Sequence, residues 1–174
     1  SDRLTIESIK DYDCEIIYQD SKGYGDALKK GIEKVNTKFF CIFNADGSFD
    51  PKELDVMINK LKHEKCDFVF ASRYEKNCGS DDDTLITFIG NYIFTFLGKI
   101  FFKLGITDIL YTFVMAKTSC AKNLRLTSKD FSFCVELPIK AKRANYKICT
   151  SKSFERSRIA GEKKVNAFKD GLKI

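Results

Sequence analysis

The sequence predicts an α/β domain with a mostly parallel sheet flanked by helices, on three observations. Short apolar runs ("CEIIYQ", 14–19; "KFFCIF", 38–43; "DFVFAS", 67–72) alternate with helical segments ("ALKKGIEKV", 27–35; "PKELDVMINKLKHE", 51–64). That order places helices on both faces of a parallel sheet. The chain has 174 residues, enough for a single domain with a real core. Hydrophobic residues at 44% against 31% charged give the balance of a globular protein rather than a disordered one.

The opening "SDRLTIESIK" reads as a helix with no strand before it, so the expectation is that the first strands lie outside these residues. The predicted strand 14–19 leads through a glycine loop, "DSKGYGD", into the helix 27–35. The strand 38–43 then runs directly into Asn44, Asp46 and Asp50. Asp50 as N-cap, Pro51 at the first helical position and Glu53 in the first turn start a helix. They leave Asn44-Ala45-Asp46 unexplained. Two oxygen-bearing side chains at i and i+2 can converge on one hard cation, at the sheet edge where open α/β folds take ligands. An ordinary turn would use the same residues without a ligand. The helix 51–64 carries Leu54, Met57, Ile58 and Leu61 on one face.

"LITFIGNYIFTFLGKIFFKL" (85–104) has about the ~20 residues of a membrane span. Gly90, Asn91, Gly98, Lys99 and Lys103 interrupt it. A buried core helix, an interfacial helix and a full span are all compatible with this composition. The expectation is the interface, with Lys99 and Lys103 toward the head groups.

Charge is uneven. Residues 140–174 carry a net +8 and the rest −2. The basic end, with 153–174 read as a basic C-terminal loop, suits an anionic partner. It lacks interleaved aromatic residues, so nucleic acid is not the expected one. Seven cysteines without CxxC spacing, and His63 alone, argue against zinc and for the reduced thiols of a cytoplasmic protein.

The segments "KGYGDAL", "FNADGSFDP", "FVFASRY", "FCVELPIKAKRANYKI" and "ERSRIAGEKKVNAFKDG", in that order, resemble the family 2 glycosyltransferases of GT-A fold. The nearest branch is the polyprenyl-phosphate (dolichol-phosphate-like) sugar transferases. The resemblance implies one Rossmann-like GT-A domain across residues 1–174. Ser1-Asp2-Arg3 resembles the end of the family's "DDGSxD" segment, so the first strand and much of the nucleobase pocket would precede it. The implied reaction moves a hexose from a nucleotide-diphosphate-sugar, with Mg²⁺ or Mn²⁺. The implied acceptor is a polyprenyl phosphate, and the implied place is the cytoplasmic face of a membrane.

The resemblance also implies roles. Asn44-Ala45-Asp46 takes the place of the family's Asp-x-Asp, with Asp46 the main metal ligand, Asn44 a neutral oxygen and Ser48 a third. Lys22, Gly23 and Gly25 would bring N–H groups toward the diphosphate. Arg73 would act as a catalytic cation and Glu136 as an acceptor-side base or orienting group. Arg156, Arg158, Lys163 and Lys164, around Gly161, would grip acceptor phosphate, with Arg158 also catalytic. One departure is Asn44 itself. The other is Leu110-Tyr111-Thr112-Phe113 in place of a Ser-Gly-Phe turn, although Asp108 matches. The alternatives are a sugar-nucleotide pyrophosphorylase, whose glycine- and arginine-rich loop is not seen in this sequence, and a non-catalytic membrane-bound relative, which Asn44 permits.

Overall fold

A computed structural model describes residues 3–160, 171 and 174. The elements are α1 (Arg3–Ser8), α2 (Tyr24–Lys34), β1 (Phe39–Ile42), α3 (Glu53–His63), β2 (Phe68–Ser72), β3 (Gly79–Ser80), α4 (Leu85–Phe102), β4 (Val114–Lys117), α5 (Thr118–Asn123), α6 (Phe133–Arg143), β5 (Ile148–Lys152) and β6 (Phe154–Glu155). Four strands form the main sheet in the order β1-β4-β2-β5, and β3 pairs with β6 separately. β4 runs antiparallel to both its neighbours, whereas β2 and β5 are parallel. β1, β2 and β5 therefore point the same way, and the loops that follow them emerge at one edge.

β2 is buried along its whole length. Its side chains alternate between faces: Phe68 and Phe70 join Phe40, Ile42, Val114, Phe133 and Leu137, while Val69 and Ala71 join Phe49, Met57, Leu61 and Phe113. Covering both faces is why this strand reads as an unbroken apolar run. Truncating a fully buried ring such as Phe68 to alanine costs about 3–5 kcal/mol.

α3 forms, but from Glu53 with Lys52 at its N-cap and no side-chain cap, rather than from Pro51 with Asp50 as N-cap. Asp50 closes the preceding turn: its Oδ1 accepts the Lys52 N–H at 3.0 Å and its carbonyl accepts the Glu53 N–H at 3.1 Å. Acidic Glu53 and Asp55 in the first turn of α3, with Lys60, Lys62 and His63 in its last, complement the helix dipole.

Three further expectations are corrected. Residues 14–19 are not a strand: their side chains are exposed and no described strand lies beside them to complete a ladder. β4 and β5 were not anticipated as strands. The thiols are not uniformly free. Cys66 and Cys149, brought together by the β2–β5 pairing, form a disulfide with Cα atoms 6.1 Å apart, so cysteine usage does not argue for a reducing compartment.

α4 starts on a reciprocal Thr84–Thr87 cap and ends at Lys103 in the left-handed region. Only Asn91 and Gly98 within it are buried. Asn91 Nδ2 donates to Asp108 Oδ1 at 2.7 Å, and its Oδ1 accepts the Leu110 N–H at 2.9 Å. Thr95 Oγ1 accepts the Ile109 N–H at 3.2 Å. A Cβ at Gly98 would press on Leu104 and Ile109 at 3.0 and 3.1 Å. Positions 91, 95 and 98 share one helix face, so the residues that interrupt the apolar run are the ones that dock it. The opposite face, from Leu85 (73% exposed) through Ile89 and Ile93 to Phe101 (71%), is apolar and open. α4 is therefore not a buried core helix. Its 18 residues and mean hydropathy of 1.6 would suffice by length and composition to cross a membrane.

Candidate active site

Because β1, β2 and β5 are co-directional, three segments meet at their carboxyl edge: residues 44–48, Arg73, and 153–158. The chain also enters reversed β4 from this edge, through Asp108 to Phe113. This is where open α/β sheets bind ligands.

Asp46 is held firmly. Its Oδ1 accepts the Ser48 amide at 3.0 Å and the Ser48 hydroxyl at 2.7 Å. Gly47 has φ 85°, a conformation glycine adopts without penalty. Ser48, the expected third ligand, is 1% exposed, with its hydroxyl proton given to Asp46. Asn44 stands half-buried two residues earlier.

The other carboxylate oxygen, Asp46 Oδ2, lies 3.6 Å from Arg158 Nη1, and Arg158 Nη2 donates to Asp82 Oδ2 at 3.0 Å. The hydrogen bond to Asp82, opposed by partial burial and helped by Asp82 and Asp46 charge, raises the Arg158 pKa. Arg158 Nε is buried without a hydrogen-bond partner among the described residues. The segment around Arg158 is strapped to the 46–49 turn. Arg156 N–H donates to the Ser48 carbonyl at 2.9 Å, Arg156 Nη2 to the Phe49 carbonyl at 2.5 Å, and Ile159 N–H to the Asp46 carbonyl at 2.7 Å. Lys163 and Lys164, the other expected phosphate contacts, lie outside the described residues.

Arg73 is at the expected edge but is committed elsewhere. Its Nε and Nη2 donate to the two oxygens of Asp108 at 2.7 and 3.0 Å, and Nη1 to Glu155 at 2.9 Å. The guanidinium also sits over the Tyr111 ring, 4.5 Å from its centroid. Burial opposes its charge, but Asp108 and Glu155 outweigh that and push its pKa up. Nε, Nη1 and Nη2 each donate to a carboxylate, so Arg73, the expected catalytic cation, is held in place by Asp108 and Glu155. Tyr111, part of the departure from the family turn, is packed beneath it.

The glycine loop is also explained by packing. A Cβ at Gly23 would collide with the Lys129 carbonyl, and one at Gly25 would come within 2.6 Å of the Ser128 carbonyl. The Asp26 amide at the start of α2 donates to the Lys129 carbonyl at 3.1 Å. Gly23 and Gly25 thus permit close approach of the 128–130 backbone, while Lys22 is exposed. Glu136 supports that same backbone. It accepts from the Thr127 amide and hydroxyl, the Ser128 amide and Lys140, all at 2.7–2.8 Å. Although burial works the other way, these donors, Lys140 foremost, hold its pKa down at about 2. Glu136, the expected acceptor-side base or orienting group, is thus tied to the 127–128 backbone and to Lys140.

Sequence reading missed Asp82 and Glu155. The available signal was "DDD" (81–83) directly before a helix; three consecutive carboxylates usually read as a solvated turn. Glu64, Cys66 and Cys149 also have ligand-type atoms within 4.8 Å of one another, but both sulfurs are tied up in the disulfide.

The residues fit a divalent cation at Asp46. Two carboxylates, Asp46 and Asp82, already converge on one cationic group, and Asn44 adds a neutral oxygen acceptor close in sequence. The fold and site together define an α/β domain whose strand-end loops bring Asp46, Asp82 and Arg158 together. The chain belongs to the glycosyl transferase family 2, which matches residues 1–125. It is 24% identical over 157 residues to the low-salt glycan biosynthesis hexosyltransferase Agl6 of Haloferax volcanii, covering 90% of this chain and 38% of that protein. Its fold is similar to glucosyl-3-phosphoglycerate synthase from Mycobacterium tuberculosis with Mn²⁺, uridine diphosphate and phosphoglyceric acid, at TM-score 0.62 and 14% identity, covering 82% of this chain and 48% of that one. The same enzyme with Mg²⁺ and uridine diphosphate gives the same TM-score, identity and coverage. The chain thus spans less than half the length of these relatives.

Proposed function

We propose that this domain transfers a hexose from a nucleotide-diphosphate-sugar to a polyprenyl phosphate at the cytoplasmic surface of a membrane. The observation that carries the transferase reading is the placement of Asp46 and Arg158 together at the carboxyl edge of the sheet. Family membership and the uridine diphosphate and metal named for the structural relatives support it. Asp46, with Asn44, would hold Mg²⁺ or Mn²⁺, which when bound would neutralise charge on the donor diphosphate.

The chain's own residues then have distinct tasks. Ser48 orients Asp46, and Arg158 offers a planar fork to phosphate oxygens. Lys22 lies exposed at the mouth of the glycine loop, available to the diphosphate. Arg156, Lys163 and Lys164 add positive charge for the acceptor. An acceptor phosphate oxygen attacks the anomeric carbon, forming the new C–O bond as the bond to the nucleoside diphosphate breaks and that group leaves with the electron pair. The attacking oxygen is already anionic, so no general base is required, which agrees with the engagement of Glu136 elsewhere.

The lipid acceptor and membrane location rest on α4. Ten large apolar residues along it are exposed, a continuous apolar surface of the kind that marks an interaction face, and Lys99 is exposed among them. The experiment is a transfer assay on the intact protein with a panel of nucleotide-sugars, offering polyprenyl phosphate or 3-phosphoglycerate. The expected result is Mn²⁺-dependent label in the lipid phase, lost with chelator. Label only in the soluble phosphate acceptor would overturn the lipid assignment, and no transfer from any donor would overturn the transferase reading.

A further inference from the structure

We propose that Arg158 is a built-in counter-cation: it holds the Asp46 metal position in the free protein and is exchanged for the divalent cation when donor binds. The inference rests on the reading of Asp46 as metal ligand. Its geometric basis is that Asp46 Oδ2, the oxygen left over by the Ser48 clamp, faces Arg158 Nη1 at 3.6 Å. Asp82 approaches the same guanidinium from its other end at 3.0 Å. A positive group therefore already stands where two carboxylates converge.

The arrangement is also incomplete on the arginine side. At 3.6 Å the contact to Asp46 is an ion pair and not a hydrogen bond, and Nε is buried with no partner among the described residues. A guanidinium has five donors, and leaving a buried one unmade is costly. The free state thus keeps Asp46 neutralised while, among the described residues, Arg158 Nε goes without a partner. A metal–diphosphate ligand meets both needs: the cation takes Asp46, and phosphate oxygens take Nε and Nη1.

The backbone of the strap lets this exchange happen in place. Arg156 and Ile159 tie their amides to the Ser48 and Asp46 carbonyls at 2.9 and 2.7 Å, so the segment stays docked while the Arg158 side chain turns. The metal alone should then bind weakly, because it must displace a charge that has no phosphate to move to. The cation and the diphosphate would bind with positive coupling, which is reciprocal by linkage.

The test uses Mn²⁺ alone, titrated into the protein with free Mn²⁺ read by electron paramagnetic resonance, alongside melting temperature. Arg158→Gln should bind Mn²⁺ about ten-fold tighter than wild type. That is the order expected on removing one positive charge 3.6 Å from the ligand oxygen at a partly solvated site. Arg158→Lys keeps the charge and should stay within about two-fold of wild type, which separates displacement of charge from a change in loop structure. Asp46→Ala should lose the site. If Asp46→Ala loses Mn²⁺ while Arg158→Gln binds no tighter than wild type, the counter-cation role is overturned and the metal assignment stands. If Asp46→Ala binds Mn²⁺ as wild type does, the metal assignment itself fails, and the inference with it.

Discussion

Two clusters at the same sheet edge have the same composition, one arginine and two carboxylates, and opposite character. Asp108 and Glu155 are buried, Arg73 is largely so, and the three are bonded at 2.7–3.0 Å and extended through Asn91 into α4. Arg158, Asp46 and Asp82 are partly open, with one contact stretched to 3.6 Å and one donor unmatched among the described residues. Both are charged; what distinguishes them is satisfaction. A cluster whose groups are all engaged suits holding structure, whereas one left incomplete has donors to offer a ligand.

The comparison is broken most easily at the buried cluster. Arg73→Met strands Asp108 and Glu155 in a low-dielectric site, and should cost about 3–5 kcal/mol. Thermal unfolding should show this as a drop on the order of 10 °C; a drop under about 2 °C would mean the network is not what secures the edge. Arg158→Lys should leave melting almost unchanged and slow sugar transfer about ten-fold or more, because lysine offers a point charge where a fork is needed. Steady-state kinetics on the lipid acceptor would check it, and full activity would reduce the strap to a solvated segment.

Smaller effects sharpen the boundary between structure and surface. Ile93 and Phe101 lie on the exposed face of α4, whereas Phe102 packs against the core beneath Arg143. Ile93→Ser with Phe101→Ser should weaken co-sedimentation with anionic vesicles about a hundred-fold or more, given ~1.5–3 kcal/mol per large apolar side chain buried, with unchanged melting. Unaltered sedimentation would remove the membrane from the account. Glu136, whose pKa is held at about 2 against an ordinary 4.5, contributes stability that is present above pH ~4.5 and lost as pH falls toward 2. Glu136→Gln should flatten that part of the stability–pH curve. Arg143→Lys, which keeps a cation over the Phe102 ring, should change neither stability nor transfer measurably.

Much of the fold was legible because its signals are local. The turn signal at Asp50-Pro51, two residues ahead of the observed start of α3, and the apolar face with Met57 and Leu61 are written within one local stretch. β2 is legible as a run because both sheet faces are covered. β4 was not, since "FVMAKTS" gives no hint that it reverses between β1 and β2; that is set by pairings with residues 39–42 and 68–70. The site divided in the same way. Asp46 could be read from a strand end, and Arg158 from a basic run around a glycine. That Arg73 is consumed by Asp108 and Glu155, 35 and 82 positions away, is information no local pattern contains. Asn91 and Gly98 were noticed as interruptions of an apolar helix, but only the packing shows that they are its attachment.

The central claim is that function lies with the incomplete cluster and structure with the complete one. Its most direct test is calorimetric binding of a nucleoside diphosphate to the intact protein, with and without Mn²⁺, for wild type and Asp46→Ala, with melting curves in parallel. The account predicts Mn²⁺-dependent binding by wild type, and its loss in Asp46→Ala at an unchanged melting temperature. Retained Mn²⁺-dependent binding in Asp46→Ala, with a lowered melting temperature, would contradict it by making Asp46 a structural residue.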